Sequence, residues 1–226
     1  MTRPLAIALA LAASAFASPA PAQGTTVDEG TFVVTRNGAV VGKEAFRILR
    51  SSSGGRLYTS TAQCAFGERR MSPALSADAS GVPLLYQLEV KNGGDLEERL
   101  RATGRPGRLN AVLQTRTGES AKEYVVAGGA LILDEDVYHQ HFFVPLAQRS
   151  GAVTVVVPRR NTQVAARVED LGRDKVRIDG KDVAAIHLII TLPDGARDLW
   201  FDDSGRLLKV AVPARGLVAL REELPR

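Results

Sequence analysis

From residue 31 onward the chain is a succession of short segments in which apolar and polar residues alternate, cut at close intervals by turn-forming pairs. A period of two puts successive side chains on opposite faces of a strand, and closely spaced turns join neighbours as hairpins. The pattern therefore specifies antiparallel sheet, not β-α-β units. Asn37-Gly38, between segments 31–36 and 40–50, suits a type I′ turn because both residues tolerate positive φ. Leu84, Tyr86, Leu88 and Val90 alternate with Leu85, Gln87, Glu89 and Lys91, after which Asn92-Gly93-Gly94-Asp95 turns the chain into 96–102. Gly104-Arg105-Pro106-Gly107 and Thr117-Gly118-Glu119 set off strands at 109–116 and 122–127. The last third reads as a five-strand meander: 175–178, 183–192, 197–201, 207–212 and 217–221. Within 183–192, Ile186, Leu188, Ile190 and Leu192 mark one face and Val183, Ala185, His187 and Ile189 the other. A strand so apolar on both faces is covered on both.

One stretch breaks the alternation. Asp134-Glu135-Asp136 precedes Val137, Tyr138, His141 and Phe142 at helical spacing, which predicts a short helix within 134–149 with Asp134 as its cap and Pro145 stopping or kinking it. The expected fold is mainly β, a curved antiparallel sheet in the form of a half-barrel with one short helical segment, in a single domain over 23–226.

Ahead of the strands, Arg3 followed by an uncharged apolar run from Leu5 to Phe16 and small residues at Ala15-Phe16-Ala17 or Ala20-Pro21-Ala22 has the layout of an export signal over 1–22, cleaved between Ala17 and Ala22. Its apolar core, roughly 12 residues, falls short of the usual 20 for a membrane span, and the single cysteine, Cys64, is far from any lipid-attachment position. The expectation is an exported, periplasmic, soluble mature chain of about 204 residues without a transmembrane anchor. Cys64 shares its parity with Tyr58, Ala62 and Phe66 and reads as a small core residue. The formal net charge is +4, with bases and acids interleaved, so no basic stripe of the kind that binds nucleic acid is present.

Chemistry is sparsely marked. Asp203-Ser204-Gly205 is the triplet of aspartic proteases, whose catalysis needs two such aspartates; here it occurs once, between two strands, and a tight turn accounts for all three residues, with a dimer the only source of a second aspartate. His139 and His141 lie near three carboxylates, but on a helix they point about 200° apart, leaving Asp136/His139 as the one pair at ligand spacing and a solvated helix end as the plainer explanation. His187 reads as a hydrogen-bonded histidine on an apolar strand. No nucleophile elbow, P-loop, dinucleotide-binding glycines or Cys-x-x-Cys is found, and neither metal nor cofactor is expected.

The run from Gly180-Lys181-Asp182-Val183 to His187, then Asp198-Leu199-Trp200-Phe201, then Gly205-Arg206-Leu207-Leu208-Lys209-Val210, resembles the C-terminal meander of exported bacterial β proteins similar to the periplasmic lipoprotein carriers, the LolA/LolB-like half-barrels. Val40-Val41-Gly42 and Phe46 fit their opening hairpin. The resemblance implies a curved sheet closed on its concave side by a helical lid, with acyl chains in the enclosed space. Each buried methylene contributes about 0.8 kcal/mol, so an apolar ligand needs no catalytic residue to be held. Tyr86, Leu88, Leu188, Ile190, Trp200 and Leu208 are the candidate lining residues on this reading. The alternatives are an interaction module of an envelope assembly, with a filled core and an exposed edge that recruits a protein partner, and a hydrolase using Asp203 or the Asp136/His139 pair.

Overall fold

The structure, a computed structural model, describes residues 24–51 and 57–225. The leader at 1–22 lies outside the described residues. The first half of the chain forms eight strands, β1 (Gly24–Arg36), β2 (Ala39–Ser51), β3 (Leu57–Phe66), β4 (Arg69–Ala77), β5 (Pro83–Asn92), β6 (Asp95–Arg105), β7 (Arg108–Thr115) and β8 (Gly118–Val125). A two-residue strand β9 (Leu131–Ile132), a 3-10 turn His139–Phe143 and a single helical turn α1 (Val144–Ala147) follow. The meander then runs through β10 (Gly151–Val157), β11 (Thr162–Ile178), β12 (Lys181–Leu192), β13 (Gly195–Phe201), β14 (Leu207–Val212) and β15 (Leu217–Arg221). The Asn37-Gly38 turn has φ of 49° and 85°, as type I′ requires. β1 begins seven residues before the expected start, and β4, β10 and the first half of β11 were not read from the sequence.

All of these strands belong to one sheet in the order β8-β7-β6-β5-β4-β3-β2-β1-β15-β14-β13-β12-β11-β10-β9. Every neighbouring pair is antiparallel except β9 with β10. The sheet curls almost into a barrel but no ladder joins its two edges. Side chains bridge the seam instead: Lys122 donates to the Asn161 carbonyl, Tyr124 Oη donates to Asn161 Oδ1 (3.3 Å) and Gln163 Nε2 donates to the Val125 carbonyl (2.9 Å). Because hairpin turns alternate between the ends of a meander, one end carries the β1–β2, β3–β4 and β5–β6 turns and the other the β4–β5 and β6–β7 turns.

The concave face is a single apolar core in which Phe32, Ile48, Tyr86, Leu100, Leu188 and Val210 meet. Residues 130–144 occupy the middle of it: Leu131, Ile132, Leu133, Val137, Phe143 and Val144 are all 1 % exposed or less. This segment departs from the expected helix in three respects. Asp134 to Asp136 form a turn, Asp136 at φ 58°, and Asp134 Oδ1 accepts the Glu135 amide without capping a helix. His139 and His141 do not sit at a solvated helix end; they are 0 % and 3 % exposed. Pro145 falls in the first turn of α1, where its missing N–H costs nothing, so the proline starts the helical turn it was expected to stop.

A second, smaller core lies on the outer face, where Val176, Ile178, Ala185, Trp200, Leu208 and Ala211 pack together. It explains why β12 is apolar on both sides: Leu188, Ile190 and Leu192 face the main core and Ala185 the outer one. Cys64 is buried in the main core, as its parity implied, and burial raises its thiol pKa well above the ordinary range, with Glu44 adding to the effect.

Candidate functional site

The central strip is held by polar groups that the surrounding sheet supplies. β2 sends Phe46 and Ile48 inward, and Glu44, two residues earlier on the same face, follows them, so a carboxylate faces an apolar interior at 0 % exposure. Glu44 Oε2 accepts the Tyr138 amide (2.6 Å), and its Oε1 accepts the His139 amide (2.8 Å) and lies 2.5 Å from His139 Nδ1. An unpartnered carboxylate here would cost several kcal/mol; charge-assisted bonds to the free amides that begin a 3-10 turn offset that cost. Phe46 stacks on the His139 ring, centroids 6.0 Å apart.

Asp134 is the second anchor. Tyr86 Oη donates to its Oδ2 (2.9 Å), Arg159 Nε donates to its Oδ1 (3.0 Å), and its own amide donates to Gln140 Oε1 (2.7 Å). Burial raises the Asp134 pKa, and Arg159 offsets only part of the shift. Burial also works against the Arg159 charge, but the neighbouring Asp134 outweighs it and the guanidinium pKa rises. Tyr86 is raised well above the ordinary phenol range, by burial first and Asp134 second. His141, hydrogen-bonded through Nδ1 to the Tyr138 carbonyl (2.9 Å), is lowered to about 3 by burial and then by Arg197, and stands neutral. The Nε2 atoms of His139, Gln140 and His141 have no partner among the described residues.

At the end of the barrel where Asp134 emerges, four arginines close around the acidic turn. Arg159 donates to the Glu135 carbonyl (2.5 Å) and reaches Glu98, while Arg160 pairs with Glu135. Arg69 lies 3.7 Å from Asp136, and Arg215 reaches Glu135 at 3.2 Å and Asp136 at 3.9 Å. β4, the turn after β10 and the turn after β14 are thereby latched to one tripeptide.

The opposite end carries clefts. One, of about 310 Å3, lies between the β4–β5 turn, the β6–β7 turn and the segment 126–130, with Pro83, Leu84, Leu109 and Val126 among its walls and Arg105 at its rim. Gly104 lets this end close up, since a Cβ there would stand 2.0 Å from the Pro83 carbonyl oxygen. A second cleft, of about 440 Å3, shares Val82 and Gly128 to Ala130 with the first and reaches Ala152 to Thr154 of β10. A third, of about 390 Å3, lies over the buried Asp28–Arg221 pair near the C-terminal residues.

The six candidate lining residues do not share one space. Tyr86, Leu88, Leu188 and Ile190 are buried in the main core, Tyr86 as a hydrogen-bond donor, whereas Trp200 and Leu208 belong to the outer core. None of the six lines these clefts. The Asp203 triplet is a hairpin turn in which Asp202 accepts the amides of Ser204 and Arg206 and exposed Asp203 pairs with Arg173. Asp136 pairs with arginines and His139 with Glu44, so these two form no unit. His187 bonds Asp198 through Nε2 (2.9 Å) and stacks on Trp200 at 4.4 Å. Among the described residues, no group of three or more His, Cys, Asp or Glu side chains is placed to hold a metal ion. No described helix is long and apolar enough to cross a membrane. Glu44, Arg159 and Arg105 were not singled out in the sequence; for Glu44 a signal existed, an acid on the parity of Phe46 and Ile48.

No family model matches the chain, and no curated protein matches it. Among solved structures the chain is similar to a β-barrel-like protein of the domain of unknown function DUF1849 from Brucella abortus. That likeness has a TM-score of 0.55 at 13% sequence identity and covers 85% of this chain and 94% of that one. At such identity the shared property is the fold, a β-barrel-like antiparallel sheet.

Proposed function

We propose that this chain is an exported, periplasmic, non-enzymatic β protein that works through its surface, as an interaction module of an envelope assembly recruiting a protein partner along an open sheet edge. The observation that carries the reading is the filled interior. Residues 130–144 fill the concave side, the space that the resemblance to the half-barrel lipoprotein carriers would reserve for acyl chains, and Glu44 and Asp134 tie them there. Recognition is left to the outside, where the β8 and β9–β10 edges lack a ladder partner. Unpaired edges accept strands from other chains. In-cell photo-crosslinking from Ser120 on β8 and Ala152 on β10, beside Arg101 in the interior of the sheet, tests this. A discrete protein adduct from an edge position and none from Arg101 is the expected result; no edge adduct, together with an apolar molecule released by organic extraction, would contradict it.

A second reading keeps the apolar ligand and moves it to the cleft beside Arg105. The cleft's size, about 310 Å3, is at the lower end of small-molecule sites, about 300–1,000 Å3. Arg105 makes no ion pair with any described residue, which favours an anionic head over an apolar body. Fatty-acid titration of the wild type against Arg105→Gln separates the two readings. Saturable binding weakened by the substitution supports the ligand, and its absence supports the edge.

A further inference from the structure

The free half of β10 narrows the choice of edge. β9 pairs with β10 through Leu131–Val155 and Ile132–Val156, and the Leu133 amide donates to the Val156 carbonyl (3.3 Å), so the main-chain groups of Val156 point toward β9. Strand geometry alternates, and residues of the same parity, Thr154 and Ala152, point the same way. Toward β11 the opposite parity is used, in the register Val155–Val164, Val153–Ala166 and Gly151–Val168. β9 starts only at Leu131, and Gly128 to Ala130 diverge from β10, opening the cleft of about 440 Å3 along Ala152 to Thr154. The Thr154 amide and both main-chain groups of Ala152 thus face a gap in which a ladder has begun and then stopped.

The walls say what fits. None of the residues lining this cleft is charged, in a chain that is 24% charged, and several are small: Gly128, Gly129, Ala130, Ala147, Ala152 and Ala165. Small side chains allow close backbone approach, and uncharged walls offer nothing to an ionic side chain. On the β8 side the Val125 carbonyl already accepts from Gln163, and the Lys122 and Tyr124 side chains reach across to Asn161, so this end of the edge is crowded.

We propose that the cleft along Ala152–Thr154 takes an uncharged, extended peptide segment of a partner protein, which continues the ladder begun by β9 and binds through main-chain hydrogen bonds to β10. This rests on the edge-recruitment reading and specifies its site.

The test uses the full mature chain and a synthetic hexapeptide, acetyl-Val-Thr-Val-Ala-Val-Thr-amide, with an analogue N-methylated at alternate residues. Residue-resolved amide exchange is the readout. The peptide is expected to slow exchange at Ala152 and Thr154 by about tenfold or more, and the N-methylated analogue to leave it unchanged. Ala152→Pro removes an amide that the β11 ladder does not use, so it should abolish the protection while the Val153 and Val155 amides stay protected; Ala152→Ser, which keeps the amide, should retain it. Protection at β8 instead would overturn the β10 site and leave edge recruitment standing. Protection at neither edge overturns the site as well, and edge recruitment falls with it only if the cellular crosslinks from Ser120 and Ala152 are also missing.

Discussion

The two ends of the barrel are built on opposite principles. At one, four arginines converge on Asp134-Glu135-Asp136 and fasten β4 and two separate turns of the sheet to the strip that fills the interior. At the other, glycines and apolar side chains form the walls, and clefts flank Gly128 to Ala130 on both sides. The two ends therefore differ in what they hold in place. The ion-paired end fixes where the central strip enters the core, and the cleft-bearing end leaves backbone and apolar surface available to something else. Exposed ion pairs are individually worth little, about 0–1 kcal/mol, so the fastening depends mainly on the buried members, Arg159 with Asp134 and Glu44 with the Tyr138 and His139 amides.

Substitutions at the two ends should differ accordingly. The largest effect is expected from Glu44→Ala, which strands two amides and the His139 ring in the core and should cost about 3–5 kcal/mol of unfolding free energy in urea titration; a loss under about 1 kcal/mol would remove Glu44 as an anchor. Tyr86→Phe deletes one buried donor to Asp134 and should cost about 1–3 kcal/mol, measured in the same way.

Acid should loosen the strip through His141, whose pKa is lowered from 6.5 to about 3 in the folded chain. Between those values the unfolded chain binds a proton that the folded chain refuses, so stability is full above pH 6.5 and falls with pH by about 1.4 kcal/mol per unit. Burial raises Asp28 and Asp134. The folded chain therefore holds their protons to higher pH, and they contribute a slope of opposite sign above the ordinary carboxylate value. Subtracting the stability–pH profile of His141→Asn from that of the wild type isolates the histidine; a difference without slope between pH 6.5 and 5 would contradict its buried, neutral state. The smallest effect belongs to the cleft end: Arg105→Gln should change stability by less than about 0.5 kcal/mol, because no described residue pairs with Arg105.

Much of the sheet was legible because its determinants are local. The Asn37-Gly38 turn, the alternation through Tyr86 and Leu88, and the doubly apolar β12 each carry their information within a dozen residues. The central strip was not legible, for a physical reason. Asp134 read as a helix cap and His139 as part of a solvated helix end because their partners, Tyr86 and Glu44, lie 48 and 95 residues away, and polarity alone does not reveal that a sheet will supply those partners. Tyr86 was read for its ring, and the hydroxyl proved to matter. Trp200 lies on the outer face by plain alternation between the inward Leu199 and Phe201, and Leu208 is the extra residue of β14 at the register shift opposite Trp200 and Phe201, where a strand changes face without any sign in its own alternation.

Residues 130–144 are either a permanent part of the core or a cover that swings away from a usable hollow. Amide exchange at Tyr138 and His139 decides it most directly. If the strip is core, these two amides exchange only with global unfolding, at the same free energy as the innermost amides of β5 and β6. Exchange through a lower-energy opening, with β5 and β6 still protected, would mean that the hollow empties and that the ligand-carrying interior, not the sheet edge, is where this protein works.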